Sequence, residues 1–567
     1  MSTNTLSNLR SRLTKVCVAI TGDTADQAIT RAQHAIAETT FLEFRLDYLR
    51  EPAAALPALA TFLTENPTVT AIATCRRKPD GGHFRGKLAD ELEILTAAAH
   101  AGFRIVDLPI DSAEAAKPPE LEQLRTAGAA LLLSHHDFSA TGDLEAVLAR
   151  ALRFAPDFIK IVPTAQTLSD NLTLIRFLEK NADTTNLVGI CMGDAGIISR
   201  VLGVRAGSVF TFASATVGGE TAPGQIDART LLDTYRIEEV DAATKVFGVA
   251  GNPVRHSLSP TMLNTAFRRE KLNAAYLALQ ADSIDDLLKL VHGIPLQGLS
   301  ITMPLKQAIL PHLEHTDPLT AKIGACNTVL RAPDGKLYGF NTDVAGIITP
   351  LTKRLGSLRD ARVLVLGAGG AARAAVFGLR DKGADVSILN RTSETAQKLA
   401  RKSGAKTIKR ESLKKTDFDV ILNATPLGMA GHEPVSPLAA DELRAKLVFD
   451  LVYNPLETPL LRLARQANIP IITGVEMFVQ QGARQFEIWT GRPAPEEEML
   501  RVVLHTLRQR AEAAAPPHEA GTPSPALTPQ PEPEPAASQE VPAAARTTKS
   551  RSAAKPADTP AKRRKAS

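Results

Sequence analysis

The chain has 567 residues, 44% hydrophobic and 22% charged, a globular mix with room for two to four domains. No run of eighteen apolar residues argues for a membrane span, and the four cysteines (Cys17, Cys75, Cys191, Cys326) lack the paired spacing of a disulfide framework or zinc site. The net charge of +5 belongs to residues 541–567, which carry eight Lys/Arg and one Asp; the remaining 58 basic and 60 acidic residues give the folded body no nucleic-acid footprint.

The first fourteen residues hold no apolar core of the kind a leader needs, so the expected location is cytoplasmic. Apolar, strand-like runs then recur at 15–20, 41–46, 69–74, 104–108, 129–134, 157–162, 187–192 and 208–213, separated by Ala- and Leu-rich helical patterns. Eight strands alternating with helices predict a parallel sheet closed into a (β/α)8 TIM barrel, over 12–235.

Charged residues interrupt these runs. Glu43, Arg45 and Asp47 alternate on the second strand and so share one face, which in a parallel barrel sees no bulk water. Such groups must pair with one another or with a ligand. Arg76 closes the third strand, His135 and His136 follow the fifth, and Arg200 follows the seventh. Lys160 lies inside Phe158-Ile159-Lys160-Ile161-Val162. A buried, unpartnered amine there would lose basicity and become a nucleophile toward ketones, whereas a strand-end lysine can also simply snorkel to water. Groups from the C-terminal ends of several strands converge on the mouth where barrel enzymes keep their active sites.

Five motifs, taken in order, resemble type I 3-dehydroquinate dehydratase: Glu43-Phe44-Arg45-Leu46-Asp47, Ser134-His135-His136-Asp137-Phe138, Phe158-Ile159-Lys160-Ile161, Ile198-Ser199-Arg200 and Ala222-Pro223-Gly224-Gln225. The resemblance implies an imine between Lys160 and the substrate ketone, with His136 removing the neighbouring carbon-bound proton and later protonating the departing hydroxyl. It implies that Arg200 grips the substrate carboxylate, while Glu43, Arg45, Arg76, Thr221 and Gln225 hold its hydroxyls and carboxylate. Where the family has a glutamate that orients the histidine, this chain has Asp80, one methylene shorter.

The second half repeats the alternation with a different grammar. Lys245–Ala250, Tyr276–Leu279, Gly298–Thr302 and Thr328–Arg331 read as strands of a substrate-binding part, 244–345, completed by 475–510. Residues 346–474 read as a Rossmann nucleotide-binding part. There Gly367-Ala368-Gly369-Gly370-Ala371 follows a strand and opens a helix, as a pyrophosphate cradle requires. The next strand ends in Asn390-Arg391-Thr392, where an NAD site would place an acid; an arginine there suits the 2′-phosphate of NADP.

Around these lie Ser257-Leu258-Ser259-Pro260, Thr302-Met303-Pro304-Leu305-Lys306, Gly324-Ala325-Cys326-Asn327-Thr328, Asn341-Thr342-Asp343, Asn423-Ala424-Thr425-Pro426, Tyr453-Asn454-Pro455 and Gln480-Gln481. This set resembles shikimate dehydrogenase over about 245–508. The resemblance implies Lys306 and Asp343 as the catalytic pair, NADP(H) as cofactor, and Ser257 and Ser259 on the substrate carboxylate. It implies Thr302, Asn327, Tyr453 and Gln481 on the hydroxyls, with Thr425 and Gly474 beside the cofactor.

The two resemblances together imply a fused enzyme that dehydrates 3-dehydroquinate and reduces the 3-dehydroshikimate formed to shikimate, in the domain order of plant-type bifunctional enzymes. Neither half calls for a metal. A catalytically silent regulator is the alternative from another class, against which the presence of Lys160, His136, Lys306 and Asp343 argues; an NAD-dependent quinate dehydrogenase is another. Residues 512–567, rich in Ala and Pro and then basic, have the composition of a disordered tail, whose contacts composition does not specify.

Overall fold

The computed structural model describes residues 3–216 and 218–514. The first sheet contains β1 (Val16–Ile20), β2 (Phe41–Arg45), β3 (Thr70–Thr74), β4 (Ile105–Pro109), β5 (Ala130–His136), β6 (Phe158–Val162), β7 (Leu187–Gly189), β8 (Thr211–Ser214) and the two-residue β9 (Ile226–Asp227). All pairings are parallel, in the order 7-6-5-4-3-2-1-8-9. The expected eight-strand α/β barrel is thus present as a curled sheet. Its β7 and β8 edges meet through Val209 N–H on Leu187 O (2.8 Å) and Gly189 N–H on Ser208 Oγ (3.1 Å) rather than through a full ladder.

The period-2 geometry of these strands builds the site directly. Cys17, Phe41, Ile72, Ile105, Leu132, Phe158 and Val188 point inward and form an apolar floor. Two residues further along the same inward rows stand Glu43, Thr74, Asp107, Ser134 and Lys160, all buried. Two further still come Arg45, Arg76 and His136. The outward rows (Val16 and Val18, Leu42 and Phe44, Ile159 and Ile161) pack against the surrounding helices.

A second sheet holds β10 (Lys245–Gly251), β11 (Ala274–Gln280), β12 (Leu296–Ile301), β13 (His315–Thr316), β14 (Thr328–Arg331) and β15 (Leu337–Phe340), ordered 11-10-12-14-15-13. Strands β10, β11 and β12 are parallel, whereas β14 runs antiparallel to both β12 and β15. Strands β13 and β15 were not expected from the sequence. Strand β15 is only four residues long and returns through the Pro333-Asp334-Gly335 turn, where Gly335 adopts φ +83°.

The third sheet, β16 (Arg362–Leu366), β17 (Asp385–Leu389), β18 (Lys406–Thr407), β19 (Phe418–Asn423), β20 (Ala445–Asp450) and β21 (Ile471–Ile472), is parallel throughout, ordered 18-17-16-19-20-21. Its strand order reverses between β16 and β19, which opens a crevice at their C-terminal ends. Helices Gly474–Thr490 and Glu496–Ala514 then return to the second sheet, where Phe486, Met499, Val503 and Leu507 join Met262 and Phe267 in one apolar cluster. The last helix reaches Ala514, so residues 512–514, expected as tail, are helical, as the high helix propensity of Glu and Ala allows. The rest of the expected tail lies outside the described residues.

Candidate active sites

One cavity at the C-terminal mouth of the barrel is lined by Glu43, Arg45, Arg76, His136, Lys160, Arg200, Thr221 and Gln225, with Phe138, Met192 and Phe212. Lys160 is 5% exposed, which excludes the snorkelling alternative. Its amine is not unpartnered, however. Nζ lies 3.2 Å from Asp107 Oδ2, 3.5 Å from Glu43 Oε1 and 3.9 Å above the Phe212 ring. A buried ammonium needs such partners, and β4 and β2 supply them from neighbouring inward rows.

Asp107 accepts from Lys160, from Arg76 (3.0 Å) and from the Ser134 hydroxyl (2.5 Å). Burial alone would raise its carboxyl, but Lys160, Arg76 and Ser134 together bring it below the usual carboxylate range. Glu43 accepts from Thr74 (2.8 Å). Arg45 is held by Asp47 through two parallel bonds of 2.9 and 2.7 Å.

His136 lines the cavity and His135 does not, which settles which of the two neighbours faces inward. Arg76 Nη1 donates to His136 Nε2 (3.1 Å), because a guanidinium has no acceptor; the ring proton therefore sits on Nδ1. Burial, then Arg76, Lys160 and Arg45, hold the imidazole well below its ordinary pKa, so it is a neutral base. The expected Asp80–His136 contact is not formed. Asp80 pairs with Arg77 at 3.2 Å, in a turn whose shorter side chain stops at its own neighbour.

Arg200, 2% exposed, donates to Gly224 O (2.7 Å) and Phe212 O (3.0 Å) and has no acidic partner among the described residues. Burial pulls its pKa down to about 10, the signature of a cation that lacks an anion. Gln225 Oε1 accepts from the Thr221 backbone (2.7 Å) and hydroxyl (3.2 Å), which folds the 221–225 loop across the mouth.

In the second half Lys306 Nζ lies 2.5 Å from Asp343 Oδ2, and Asn327 Nδ2 donates to Asp343 Oδ1 at 2.7 Å. Asp343 opens the helix Asp343–Leu355, where a carboxylate suits the helix dipole. Behind it a buried chain of hydrogen bonds runs from Tyr276 through Ser300, Gln485 and Thr328 to Asn327. Ser257 Oγ accepts from the Ser259 backbone at 3.2 Å. Tyr453 stacks on Phe478 with centroids 4.5 Å apart, and Gln481 donates to Phe478 O (2.9 Å). Thr302 ends the strand row beside the Met303–Pro304 cis bond.

The family described as Type I 3-dehydroquinase matches residues 16–242. Shikimate dehydrogenase substrate binding domain matches 249–329, Shikimate / quinate 5-dehydrogenase 350–451, and Shikimate 5'-dehydrogenase C-terminal domain 474–504. An Arabidopsis thaliana protein named bifunctional 3-dehydroquinate dehydratase/shikimate dehydrogenase, chloroplastic, is 34% identical over 85% of this chain and 83% of its own. The chain belongs to that family. A Methanosarcina acetivorans shikimate dehydrogenase (NADP(+)) is 40% identical over 47% of this chain and 99% of its own. A Thermus thermophilus shikimate 5-dehydrogenase, solved with NADP(H) and shikimate, is 36% identical over 47% of this chain and all of its own, with a TM-score of 0.43.

The dehydrogenase half fits a dinucleotide. Gly367 adopts φ +110°, and Gly369 precedes the helix Gly370–Asp381 with nothing within 4 Å of where a Cβ would stand. That leaves Ala368, Gly369, Gly370 and Ala371 free to face a pyrophosphate. A Cβ on Gly370 would lie 3.5 Å from Lys306 Cδ, so Lys306 borders this loop. The Thr425 hydroxyl donates to Asn423 (2.7 Å) just past the end of β19. Asn390 Nδ2 donates to Thr392 O, and Arg391 beside it is exposed, with no acidic partner among the described residues. Gly474 is needed for packing, since a Cβ there would meet Val452 O at 2.3 Å.

Sequence reasoning missed Asp107, Ser134 and Phe212. The signal for Asp107 was present: an acid inside Arg104-Ile105-Val106-Asp107-Leu108, the same anomaly that singled out Glu43.

Proposed function

We propose that this chain catalyses both reactions of its family: dehydration of 3-dehydroquinate to 3-dehydroshikimate, and NADPH-dependent reduction of that ketone to shikimate. The observation that carries the first is the amine of Lys160, enclosed in one cavity with a neutral imidazole and a buried guanidinium that lacks an anion.

In this reading Arg200 binds the substrate carboxylate and fixes the ring. Lys160 passes a proton to Glu43 and attacks the carbonyl carbon; that proton then goes to the carbinol oxygen, which leaves as water and gives the protonated imine. His136 takes the proton from the adjacent carbon once Arg76 turns from Nε2 toward the substrate. The electron pair moves into the protonated imine to give an enamine; its collapse expels the neighbouring hydroxyl with the proton His136 returns, and hydrolysis of the imine frees Lys160. Asp80, paired with Arg77, takes no step in this reading.

In the second half NADPH supplies the hydride. Lys306 donates the proton to the substrate oxygen and stabilises the developing alkoxide, while Asp343 and Asn327 hold its ammonium in place. Ser257 and Ser259 bind the carboxylate, and Thr302, Asn327, Tyr453 and Gln481 face the hydroxyls. Arg391, with Asn390 and Thr392, favours the 2′-phosphate. The partners in this reading are small molecules, with no membrane or nucleic acid for the folded body. Among the described residues no helix is long and apolar enough to cross a membrane. Four free, buried cysteines support a reducing compartment, with the cytoplasm as our placement, which fractionation tests.

Borohydride added with 3-dehydroquinate is expected to leave a stable adduct on Lys160, detected by mass spectrometry and absent in Lys160→Ala. An unmodified protein that still dehydrates the substrate would exclude the imine. Lys306→Ala is expected to lower reduction by orders of magnitude and leave dehydration intact. A purified chain that binds both substrates yet turns over neither would support the silent regulator instead.

A further inference from the structure

The first half does not stand alone around its site. Two of its loops are held by side chains of the dehydrogenase half. Asp286, on the helix Ile284–Gly293, accepts from the backbone N–H of Leu168 (2.9 Å) and of Ser169 (3.1 Å). Those two amides open the turn Leu168–Asp170 that leads into the barrel helix Asn171–Asn181. They are the unsatisfied donors of a helix start, and among the described residues Asp286 is their only acceptor. Leu168 is 1% exposed, so water cannot readily replace the carboxylate.

That turn is wired to the dehydratase cavity. Asn171 Nδ2 donates to both Leu168 O and Ala195 O, each at 2.8 Å. Ala195 lies in the turn Asp194–Gly196, five residues before Arg200. On one side of the same turn Gly193 N–H donates to Pro223 O (3.2 Å), and Arg200 Nε donates to Gly224 O (2.7 Å). A Cβ on Gly224 would stand 2.4 Å from Gly193 O, so these two segments touch backbone to backbone. On the other side Asp194 pairs with Arg255 of the dehydrogenase half at 3.2 Å. Arg255 is 49% exposed and Asp194 59%, so that pair adds little by itself. Packing supports the first contact: a Cβ on Gly293 would meet Leu172 Cδ2 at 2.5 Å.

We infer that the dehydrogenase half is a positioning element of the dehydratase site: Asp286, assisted by Arg255, fixes the turns that set Arg200 and the 221–225 loop over the cavity. Asp286 touches no substrate and acts through Leu168, Asn171 and Ala195. The inference rests on the dehydratase reading above. It requires no movement of ligand between the two sites.

The test uses the full chain with Asp286→Asn, which keeps size and one acceptor, and Asp286→Ala. Expected is a rise in the dehydratase KM of about fivefold for Asp286→Ala and less for Asp286→Asn, with kcat within about twofold and the dehydrogenase constants unchanged. Amide exchange at 168–172 and 194–200 is expected to quicken in the same order. An unchanged dehydratase KM, unchanged exchange at 194–200, or a parallel fall of both activities would overturn the inference. A wild-type chain without dehydratase turnover would instead refute the functional reading, and amide exchange would still judge the clamp.

Discussion

Lys160 looked in the sequence like an isolated amine, and the fold gives it two carboxylates. The difference comes from register: β6 and β4 each place a charged residue one step above the apolar floor, and only the curled sheet brings those steps together. Arg200 is the opposite case, a buried cation whose hydrogen bonds, among the described residues, go to carbonyls alone. Arg200→Ala is expected to raise the KM for 3-dehydroquinate roughly thirtyfold, about 2 kcal/mol for a charge-assisted contact, and also to loosen the 221–225 loop it ties through Gly224 O; steady-state kinetics checks the first. His136 links the site to pH. Its folded pKa lies below the unfolded value, so the unfolded chain takes up a proton that the native state refuses. Stability is therefore full above about pH 6.5, the unfolded value, and is lost as pH falls from there toward the folded pKa. Urea unfolding at pH 7 and pH 5.5 is expected to show a larger loss in wild type than in His136→Gln.

The glycine loop after β16 separates two uses of glycine. Gly367 sits at φ +110° with its would-be Cβ 3.0 Å from Ala424 O, so it serves the chain's own turn. Gly369 has extended backbone and open space, so it serves a ligand. Gly367→Ala is expected to lower the thermal midpoint through about 1–3 kcal/mol of backbone strain. Gly369→Ala is expected to leave the midpoint unchanged and raise the KM for NADPH severalfold. Equal effects of the two on stability would mean the loop is not preformed for a dinucleotide. The sequence already showed this loop, because strand, glycines and helix are contiguous. It did not show β15, because four residues between a turn and the Asn341-Thr342-Asp343 motif carry too short a pattern to register as a strand.

Across the molecule, one apolar cluster runs from the barrel helices into the second sheet, joining Leu168, Leu172 and Ile175 with Leu287, Leu288 and Val291. The sequence suggested separable domains, since each half has its own motif set and its own sheets. A shared core couples their unfolding, because exposing one face strips apolar contact from the other. Calorimetry of the full chain is expected to show the barrel and the second sheet melting together; two well-resolved transitions assigned to them by limited proteolysis would contradict this.

Composition, strand period and ordered motifs were sufficient to determine an α/β chain of two enzyme halves, and the charged residues that line the barrel cavity. They are local properties: alternation puts Glu43 and Lys160 on inward faces wherever the strands lie, and a glycine turn needs only its own neighbours. What the tertiary structure decided is pairing across distance. It placed Asp107 against Lys160, turned His136 to Arg76 rather than Asp80, left Arg200 without an anion among the described residues, and set Asp286 on the barrel. Those outcomes depend on strand order and on how two halves dock, which residues far apart in the chain encode only jointly.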